Sequence, residues 1–565
     1  MKHQPLPATV ATLLAIVTIG LSFPVVPDSI AQDKDPADRT ASLNAAELKK
    51  CLEKLPPGTR HHAVMMPLRD GVLLATDVFL PPTGDGPWPV MLLRTPYSRF
   101  DPRPVQEMGD IPCILVCQNQ RGRYGSQGKL PQDSFQNEGD DSYDAIEWCA
   151  KQKWCNGKVA MWGPSGHGIS PSNAVWSKAP HLVAVKVNIS ADDAYLHWCF
   201  SNGARRGMYT WMGQRNQQVP DWPRPTTIPY DLKTRHEFLK KHGADNKVYY
   251  LANAGWYDLF SEGALDSFAA LAANGRAFVT VGPGGHGPIG GDLKYPYRNT
   301  PKEVQPPTLK QLMTGLEPKQ AKSALVYYLM GDKREPDAPG NVWKVSDVWP
   351  VPHTPTDYYL QMDGSLSKRK TEAKEASLTY TYDPKDSAPS VGGNYGLGTK
   401  SGPLDQRPLK DRKDVLRFVG EPLTESVGIT GKVWAELHFR SDAPDTMFVV
   451  KLMDIYPDGY EAMVRESAGL ARYNCGLNQP AALEKEKAYA LKLDMWSTAL
   501  VFNKGHRIGV YVTSSSKEAY EVHPNSYKPV KSIEQARTAH NTILLSAEHA
   551  SRVILPVIPK ESYRK

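Results

Sequence analysis

The sequence predicts an α/β fold followed by an all-β sandwich. Between about residues 58 and 350, short apolar runs alternate with stretches of helical spacing, which is typical of a mostly parallel sheet covered by helices on both faces. From residue 351 to residue 565, apolar and polar residues alternate between turns, which is typical of antiparallel strands. A chain of 565 residues is also too long for one ordinary hydrophobic core.

The first 31 residues have the pattern of a secretory signal peptide. Residues 4–27 carry no charge and include an apolar core at residues 9–23, and the small-x-small sequence Ser29 to Ala31 is typical of a cleavage site. Pro24 and Pro27 interrupt the apolar run, which disfavours an uncleaved membrane anchor. We therefore expect export to the periplasm or the medium with no membrane span left, and a lead-in segment at residues 32–57.

Seven apolar runs define the first predicted sheet. They are Val72 to Leu80, Val90 to Leu93, Ile111 to Cys117, Lys158 to Trp162, Leu182 to Ile189, Tyr249 to Ala254 and Ala277 to Val281. Apolar spacing predicts a helix over Glu138 to Lys151. Residues 192–246 mix aromatic, basic and proline residues without strand character, and we interpret them as a short helical cap inserted over the site.

The second part is best represented by Val433 to Arg440. Its apolar residues Val433, Ala435, Leu437 and Phe439 recur at every second position, which is the period of a half-buried strand. Similar runs occur at Met447 to Met453, Tyr489 to Leu493 and Ile508 to Thr513. Together they predict a carboxyl-terminal jelly roll of about 200 residues.

Composition excludes several classes of function. The net charge of +7 arises from 67 basic and 60 acidic residues that are interspersed, so the chain lacks the basic patch of a nucleic-acid-binding protein. Seven cysteines are too few for a disulfide scaffold, and their spacing does not match a zinc site. We expect no metal and no cofactor. The sequence neither predicts nor excludes a homo-oligomer.

Ser165 stands where the Lys158 to Trp162 strand runs into a turn rich in glycine. A serine hydroxyl attacks a carbonyl only when a histidine takes its proton and donors stabilise the oxyanion. The turn that exposes such a serine is sharp, and Gly163 and the other glycines around Ser165 permit it. A tight turn without function is the alternative, since a short glycine-serine string is common in loops.

Two later strands end in the groups that such a serine needs. The run from Tyr249 leads to Asp258, and the run from Ala277 leads to His286. In a parallel sheet these strand ends lie at one edge. The order Ser165, Asp258, His286 is that of the α/β-hydrolase triad, although Asp258 alone would also suit a helix cap.

Several strings in this chain resemble the cocaine esterase and X-prolyl dipeptidyl-peptidase superfamily of serine hydrolases, which includes α-amino acid ester hydrolases and glutaryl-cephalosporin acylases. The matching strings are RTPYSRFD (94–101), QNQRG (118–122), WCNGKVAMWGPSGHG (154–168), AGWYDLF (254–260), GPGGHG (282–287), YDPKDSAPSVGG (382–393) and DQRPLKDRKDVL (405–416). The resemblance implies a hydrolase domain, a helical cap and a jelly roll.

The resemblance also implies roles for individual residues. Ser165 matches the nucleophile, Asp258 the acid and His286 the base. Tyr97 matches the tyrosine that shares the oxyanion hole with the N–H of the residue after the nucleophile, here Gly166. By the same resemblance Trp198 and Phe260 line the acyl pocket, although aromatic residues are otherwise ordinary core.

The chain departs from the family pattern beside the nucleophile. Gly166 replaces the usual tyrosine, which keeps the backbone donor but removes a pocket wall, and His167 stands where an apolar or acidic residue is common. His167 is a candidate for substrate contact, with a packing role as the alternative. Asn119 replaces the usual aspartate of the QDxRG string.

These patterns predict an exported serine hydrolase that cleaves an ester or amide through an acyl-enzyme, with a small molecule or short peptide as substrate. An ester hydrolase, an X-Pro dipeptidyl-peptidase and a β-lactam acylase remain open. Asp192 and Asp193 are the candidates to hold a substrate ammonium, which dipeptidyl chemistry needs. A non-catalytic carbohydrate or surface-binding protein with Trp434 as a stacking platform is the alternative from another class.

Overall fold

The computed structural model describes residues 45–129, 135, 137–207, 231–243, 245–295, 300–301, 304–316, 322–335 and 337–563. The chain divides into residues 1–46 and residues 47–565, and the description below concerns the second of these units. The predicted signal peptide lies outside the described residues. No helix in the part of the chain described is long and apolar enough to cross a membrane.

A ten-stranded sheet forms the first half of the described chain. In the order in which they pair, its strands are β1 (Arg60–Pro67), β2 (Leu73–Leu80), β4 (Ile114–Asn119), β3 (Trp88–Thr95), β5 (Cys155–Pro164), β6 (Leu182–Asn188), β9 (Tyr249–Tyr257), β10 (Ala277–Gly285), β11 (Ala324–Leu329) and β12 (Val342–Ser346). Pairing is parallel from β4 through β11 and antiparallel at both edges. The α/β fold class is therefore confirmed.

The seven apolar runs found in the sequence are all strands of this sheet. Several are longer than predicted, because strands such as β5 and β10 continue into glycine and proline residues that lack strand propensity. The sequence reading missed three strands, namely β1 and β12 at the two edges of the sheet and β11 beside β12. Strand β1 is mostly exposed, and Met66 alone among its residues is buried.

Helices cover the sheet between the strands. They are Arg103–Gln106, Glu138–Ala150, Ile169–Ala174, Leu232–Gly243, Ser261–Leu271 and Leu309–Thr314. The predicted helix from Glu138 is thus correct to within one residue. Helices Glu138–Ala150 and Ser261–Leu271 bury one face each against the sheet core, through residues such as Ile146 and Phe268.

The segment interpreted as a helical cap contains strands as well as helices. Residues Ala194–Cys199 form a π-helix, and β7 (Phe200–Ser201) and β8 (Ala204–Arg205) form a small antiparallel hairpin. The hairpin turns at Asn202 and Gly203, both with positive φ, and an Asn-Gly pair is a strong hairpin signal that our reading of this segment overlooked. Residues 208–230 of the segment lie outside the described residues.

An eleven-stranded sheet forms the second half. Its strands are β13 (Thr354–Leu360), β14 (Ser365–Ser367), β15 (Ser377–Tyr382), β16 (Leu416–Gly420), β17 (Val427–Ser441), β18 (Met447–Ile455), β19 (Glu461–Leu470), β20 (Tyr489–Phe502), β21 (Arg507–Thr513), β22 (Ala539–Leu544) and β23 (Arg552–Val557). In the part of the chain described, these strands pair antiparallel except for β14 and β16, which pair in parallel. In β17 the residues Val433, Ala435, Leu437 and Phe439 are fully buried, as their alternation predicts.

The two sheets share one apolar core. Met330, just after β11, exchanges backbone hydrogen bonds with β20, accepting from Val501 at 2.9 Å and donating to Ala499 at 3.1 Å. The hydroxyl of Tyr257, the last residue of β9, donates to the carbonyl of Met463 on β19 at 3.1 Å. The carboxyl-terminal sheet therefore contacts the strand that leads to Asp258.

Candidate active site

Ser165 lies directly after β5, at the carboxyl end of the parallel strands. Its φ of 51° is in the left-handed region that residues with a side chain rarely adopt. A 3₁₀ turn, Ser165–Gly168, and then the helix Ile169–Ala174 follow it. This strand, strained serine and helix are the local structure that exposes a nucleophile above a sheet.

Gly163 is required by the sharpness of this turn. A Cβ on Gly163 would overlap the backbone carbonyl of His167, because the chain folds back on itself within four residues. The neighbour is backbone and has no freedom to move aside. The glycine that the sequence singled out therefore permits the positive φ of Ser165 by leaving room for the returning chain.

His286 connects Ser165 to Asp258. Its Nε2 lies 3.0 Å from Ser165 Oγ, and its Nδ1 lies 2.8 Å from Asp258 Oδ2. The imidazole is 15% exposed and the carboxylate is fully buried. With Nδ1 donating its proton to the carboxylate, Nε2 is left as an acceptor facing the serine hydroxyl.

The Asp258 carboxylate is held from both sides. Its Oδ1 accepts the backbone N–H of Phe260 at 2.7 Å, while Oδ2 faces His286. The Asp258 N–H donates to the carbonyl of Gly255 at 2.9 Å. Asp258 therefore binds the local turn through Oδ1, although it does not cap the following helix, whose N-cap residue is Phe260 without a side-chain cap hydrogen bond. Its second oxygen is directed to the histidine.

Tyr97 and Gly166 lie against each other. A Cβ on Gly166 would overlap the hydroxyl and ring of Tyr97, so the tyrosine occupies the space that a side chain after the serine would need. The Asn119 amide donates to the backbone carbonyl of Tyr97 at 2.6 Å. Burial raises the pKa of the Tyr97 phenol, which keeps it a hydrogen-bond donor at neutral pH.

The Gly166 substitution thus has a structural consequence. The Tyr97 ring fills the position beside the elbow where a larger residue at 166 would have to pass. Tyr97 as a whole residue is 40% exposed, so part of it stays accessible to solvent. Glycine at 166 and the position of Tyr97 depend on one another.

His167 lies behind Tyr97, with their ring centroids 5.1 Å apart. Burial lowers the pKa of His167 to about 4, so the ring is neutral at physiological pH. Its buried Nδ1 has no hydrogen-bond partner in the structure. The histidine that hydrogen bonds to Ser165 in the described residues is His286, through its Nε2 atom, and not His167.

Trp198 and Phe260 form an aromatic wall beside the histidine. Their ring centroids are 4.0 Å apart, and Phe260 meets the ring of His286 edge-on at 5.5 Å. The Trp198 indole donates to the carbonyl of Ala191 at 3.1 Å, which fixes its orientation. Both residues belong to a buried apolar cluster that also contains Ile169 of the helix after Ser165.

Asp192 and Asp193 are both buried and committed to protein contacts. Asp192 accepts from the Trp176 indole and from Arg235, at 2.6 and 2.7 Å. Asp193 accepts the N–H of Leu196 at 2.8 Å and is within 3.4 Å of Arg235. The idea that this pair is free to hold a substrate ammonium does not fit these contacts.

The sequence reading missed Arg206, which supports the acid loop. Its guanidinium is buried, donates to the carbonyl of Leu259 at 2.9 Å and lies 4.6 Å from the Trp496 ring. Glu262, at the start of the following helix, accepts from the N–H and hydroxyl of Ser497, both at 2.9 Å. These links between distant parts of the chain leave no local sequence signal.

Other candidates from the sequence have no role at this site. Trp434 lines a separate cavity of about 320 Å³ with Trp349, at the junction of the two sheets, and Lys492 lies 4.5 Å from its ring. All seven cysteines lie in the described residues, and none of them forms a disulfide bond. Within the described ranges, His, Cys, Asp and Glu residues form no group of three suited to a metal ion.

Comparison with known proteins identifies two family models in the chain. Residues 70–242 match the model described as X-Pro dipeptidyl-peptidase, S15 family. Residues 318–554 match the model described as the X-Pro dipeptidyl-peptidase C-terminal non-catalytic domain. The two matches lie in the α/β part and mainly in the all-β part, respectively.

Individual relatives agree with these models. The cocaine esterase of Rhodococcus sp. (strain MB1 Bresler) is 28% identical over 88% of this chain and 98% of its own length. An aminopeptidase from a marine sediment Thaumarchaeota archaeon has the same fold, with a TM-score of 0.71 at 23% identity over 90% of this chain and 98% of that one. An α-amino acid ester hydrolase has a TM-score of 0.70 at 24% identity over 95% and 100%.

Proposed function

This chain belongs to the superfamily of cocaine esterases and X-Pro dipeptidyl-peptidases and is a serine hydrolase that acts on ester or peptide bonds. We propose that it is an exported esterase or acylase and that Ser165, His286 and Asp258 carry out the reaction. One observation carries the assignment of residues. Ser165 Oγ, His286 and Asp258 form one hydrogen-bonded chain with distances of 3.0 and 2.8 Å. Its geometry is that of a nucleophile, a base and an orienting acid.

In the proposed acylation step, Ser165 Oγ attacks the substrate carbonyl carbon while its proton passes to His286 Nε2. The carbonyl π electrons move to oxygen and give a tetrahedral oxyanion. His286 then donates the proton to the leaving alkoxide or amine as the bond to carbon breaks. The products of this step are an acyl ester on Ser165 and a free alcohol or amine.

Water completes the cycle by the same route. His286 takes a proton from a water molecule as its oxygen attacks the acyl carbon, and a second tetrahedral oxyanion forms. The bond to Ser165 Oγ breaks, the serine recovers the proton from His286, and a carboxylic acid is released. Asp258 stabilises the imidazolium in both halves and keeps Nδ1 as the donor.

Two donors would stabilise the oxyanion. The N–H of Gly166 follows the nucleophile, and the Tyr97 hydroxyl lies against the same glycine. A backbone N–H and a tyrosine hydroxyl that are held in place need no reorganisation when charge develops on oxygen. Trp198 and Phe260 supply an apolar wall for the acyl group.

Among the substrate classes, the contacts of Asp192 and Asp193 favour esters and acyl amides over dipeptides. An X-Pro dipeptide carries an α-ammonium group that needs a carboxylate partner. Both aspartates are already bound to Arg235, Trp176 or backbone. Export rests on the signal pattern of residues 1–31 alone.

A hydrolysis panel tests the function. Protein beginning at Gln32 is assayed with a p-nitrophenyl ester, Ala-Pro-p-nitroanilide and a neutral acyl anilide, each beside the Ser165→Ala variant. We expect turnover of the ester or the acyl anilide and its loss in the variant. Efficient Ala-Pro release would contradict the ester and acylase assignment, and unchanged turnover in Ser165→Ala would contradict the nucleophile.

A further inference from the structure

Trp198, one half of the aromatic wall beside the base, lies on the π-helix Ala194–Cys199. Its ring centroid is 4.0 Å from that of Phe260, whose ring meets His286 edge-on at 5.5 Å. A π-helix is rare and occurs frequently at functional sites. The contacts that hold this short helix therefore determine where the wall lies relative to the base.

His197, which directly precedes Trp198, is a buried residue of the π-helix that contacts two carboxylates. Its Nε2 lies 3.2 Å from Asp266 Oδ2, and its Nδ1 lies 3.8 Å from Asp192 Oδ1. Asp192 lies just before the π-helix, whereas Asp266 belongs to the helix Ser261–Leu271 that follows the acid loop. One imidazole thus connects the two segments that carry the aromatic wall.

The same two segments are closely packed around His197. A Cβ on Gly263, in the first turn of the helix that carries Asp266, would overlap the side chain of Ala191 and lie 3.0 Å from His197 Nδ1. Arg206 donates to the carbonyl of Leu259 at 2.9 Å and to that of His197 at 3.5 Å. The side chain and the backbone of His197 are therefore both held against the acid loop and its helix.

The charges around His197 favour its cationic form. Burial lowers its pKa, but the carboxylates of Asp192 and Asp266 outweigh burial and raise the pKa to about 9. Charged side chains face this region from four segments, namely Asp192 and Asp193 before the π-helix, Arg235 of the helix Leu232–Gly243, Asp266 of the helix Ser261–Leu271, and Lys432 of β17. At neutral pH His197 is therefore a cation between two acids, and a neutral ring would donate to only one of them.

We propose that His197 is a positioning residue, which holds Trp198 against Phe260 through its contact with Asp266 and so sets the preference of the enzyme for acyl chains longer than acetyl. In this arrangement His197 contacts neither the substrate nor the reacting atoms and acts through the aromatic wall. An apolar wall that is held in place adds binding energy for each methylene that it contacts, whereas a wall that moves away does not. This inference rests on the proposed hydrolase function.

The test compares two esters that differ only in the acyl chain, p-nitrophenyl hexanoate and p-nitrophenyl acetate. The measured quantity is the ratio of kcat/KM for the hexanoate to kcat/KM for the acetate. Both esters have the same leaving group and meet the same nucleophile and base, so a change in the ionisation of His286 cancels in the ratio. The ratio therefore reports the contact between the acyl chain and the wall.

Four single variants and one double variant accompany the wild type. We expect Trp198→Ala, which removes the wall, to lower the ratio about 10- to 100-fold. His197→Gln and Asp266→Asn should lower it about 3- to 10-fold, because a displaced wall keeps part of its contacts. Adding His197→Gln to Trp198→Ala should cause little further loss, since both changes act on the same wall.

The matched control is His506→Gln. His506 likewise has a carboxylate near each nitrogen, but it lies directly before β21 in the carboxyl-terminal part. This variant also loses a buried cation between two acids, so it reproduces a general loss of stability without touching the π-helix. It should keep the wild-type ratio.

The pH dependence of the ratio separates positioning by a charged His197 from a general effect on folding. In the wild type the ratio should be constant near neutral pH and fall as the pH rises through about 9, where His197 loses its proton. The fall should be absent in His197→Gln. It should persist in His506→Gln, although the pKa of His506 is also raised to about 9.

Each outcome decides the inference. An unchanged ratio in Trp198→Ala or in His197→Gln overturns it, as do losses that multiply in the double variant. If His197→Gln does not fold, judged by its thermal midpoint, the wild-type pH profile and Asp266→Asn decide, because Asp266 is partly exposed at the edge of a cavity and an amide of the same size fits there. A ratio that is constant through pH 9 and unchanged in Asp266→Asn then overturns the inference.

Failure of the proposed function has a different signature. Absence of turnover with both esters, or turnover that survives in Ser165→Ala, overturns the function itself. Hydrolysis that depends on Ser165 but keeps one ratio in all variants overturns only the role of His197.

Discussion

Two histidines of this chain, His286 and His506, both contact carboxylates, yet their surroundings assign them opposite tasks. His286 has one carboxylate, Asp258, on Nδ1 at 2.8 Å, and its Nε2 faces a serine hydroxyl. His506 has a carboxylate on each nitrogen, Asp454 at 2.8 Å and Asp332 at 3.3 Å. The His286 ring therefore keeps one nitrogen free to accept a proton, whereas both nitrogens of His506 contact a carboxylate.

The consequence for protonation follows directly. The two carboxylates raise the pKa of His506 to about 9 against the effect of burial, so it stays a cation at neutral pH. A histidine that is already protonated cannot take a proton from serine. A ring nitrogen without a carboxylate partner therefore distinguishes a general base from a structural cation, whereas a single carboxylate partner does not.

The largest expected effect is that of Ser165→Ala. Removing the nucleophile should lower kcat for a turned-over ester by about a millionfold, because no covalent intermediate can form. Single-turnover and steady-state assays measure it, with the thermal midpoint as a check that the fold is kept. Residual turnover within about tenfold of the wild type would contradict the assignment.

Asp258→Asn removes the carboxylate that contacts His286. The amide keeps the size of the acid but favours the wrong tautomer of His286, so we expect kcat to fall by about 10⁴-fold. Asp454→Asn, which changes an acid of His506 in the same way, serves as the matched control and should leave kcat unchanged. Equal losses of kcat in the two variants would show that the distinction between the sites is wrong.

Tyr97→Phe and Gly166→Ala test the oxyanion donors. Loss of the Tyr97 hydroxyl should lower kcat by about 10²- to 10³-fold. Gly166→Ala should lower kcat by a similar factor, since its methyl group would displace the Tyr97 hydroxyl. The double variant should then lose little more than either single one, because both changes remove the same donor. If the fold loss of kcat in the double variant equals the product of the two single losses, the two changes do not remove the same donor.

His506→Gln removes the imidazole that lies between Asp454 and Asp332. It leaves two buried carboxylates without their cation, so we expect the free energy of unfolding to fall by about 3–5 kcal/mol while kcat is kept. Urea denaturation measures the first and an ester assay the second. Loss of activity in a variant that is still folded would contradict a purely structural role for His506.

The pH dependence of stability gives the smallest of these effects. The folded pKa of His506, about 9, lies above the ordinary value of 6.5, so its stabilisation is complete below about pH 6.5 and is lost as pH rises through about 9. We expect the free energy of unfolding to fall across this window by about 3 kcal/mol. The free energy of unfolding should depend less steeply on pH in His506→Gln than in the wild type. An equal pH dependence in both proteins would contradict the link between His506 protonation and stability.

Much of the fold and of the site was accessible from sequence for a physical reason. Buried parallel strands read as short apolar runs, and the residue that ends each run lies at the same sheet edge. Ser165, Asp258 and His286 each end such a run, so order along the chain was enough to bring them together. The alternation in β17 likewise predicted which of its residues are buried.

The missing parts depend on contacts between distant residues. Arg206 and Ser497 support the acid loop from segments with no local signal, and the ion pairs of Asp192 were invisible because Arg235 is 43 residues away. His506 looked like any other histidine until β18 and the loop after β11 supplied its two acids. Edge strand β1 was missed because its residues are mostly exposed and its apolar side chains do not alternate with the period of a half-buried strand.

Labelling with a fluorophosphonate, followed by intact mass measurement and peptide mapping, tests most directly whether Ser165 is a nucleophile activated by His286. We expect one label per chain, located on Ser165, in the wild type and in His506→Gln, and we expect labelling to be slower by orders of magnitude in His286→Gln. Labelling at another serine, or equally fast labelling when His286 is replaced, would contradict the claim that Ser165 is a nucleophile activated by His286.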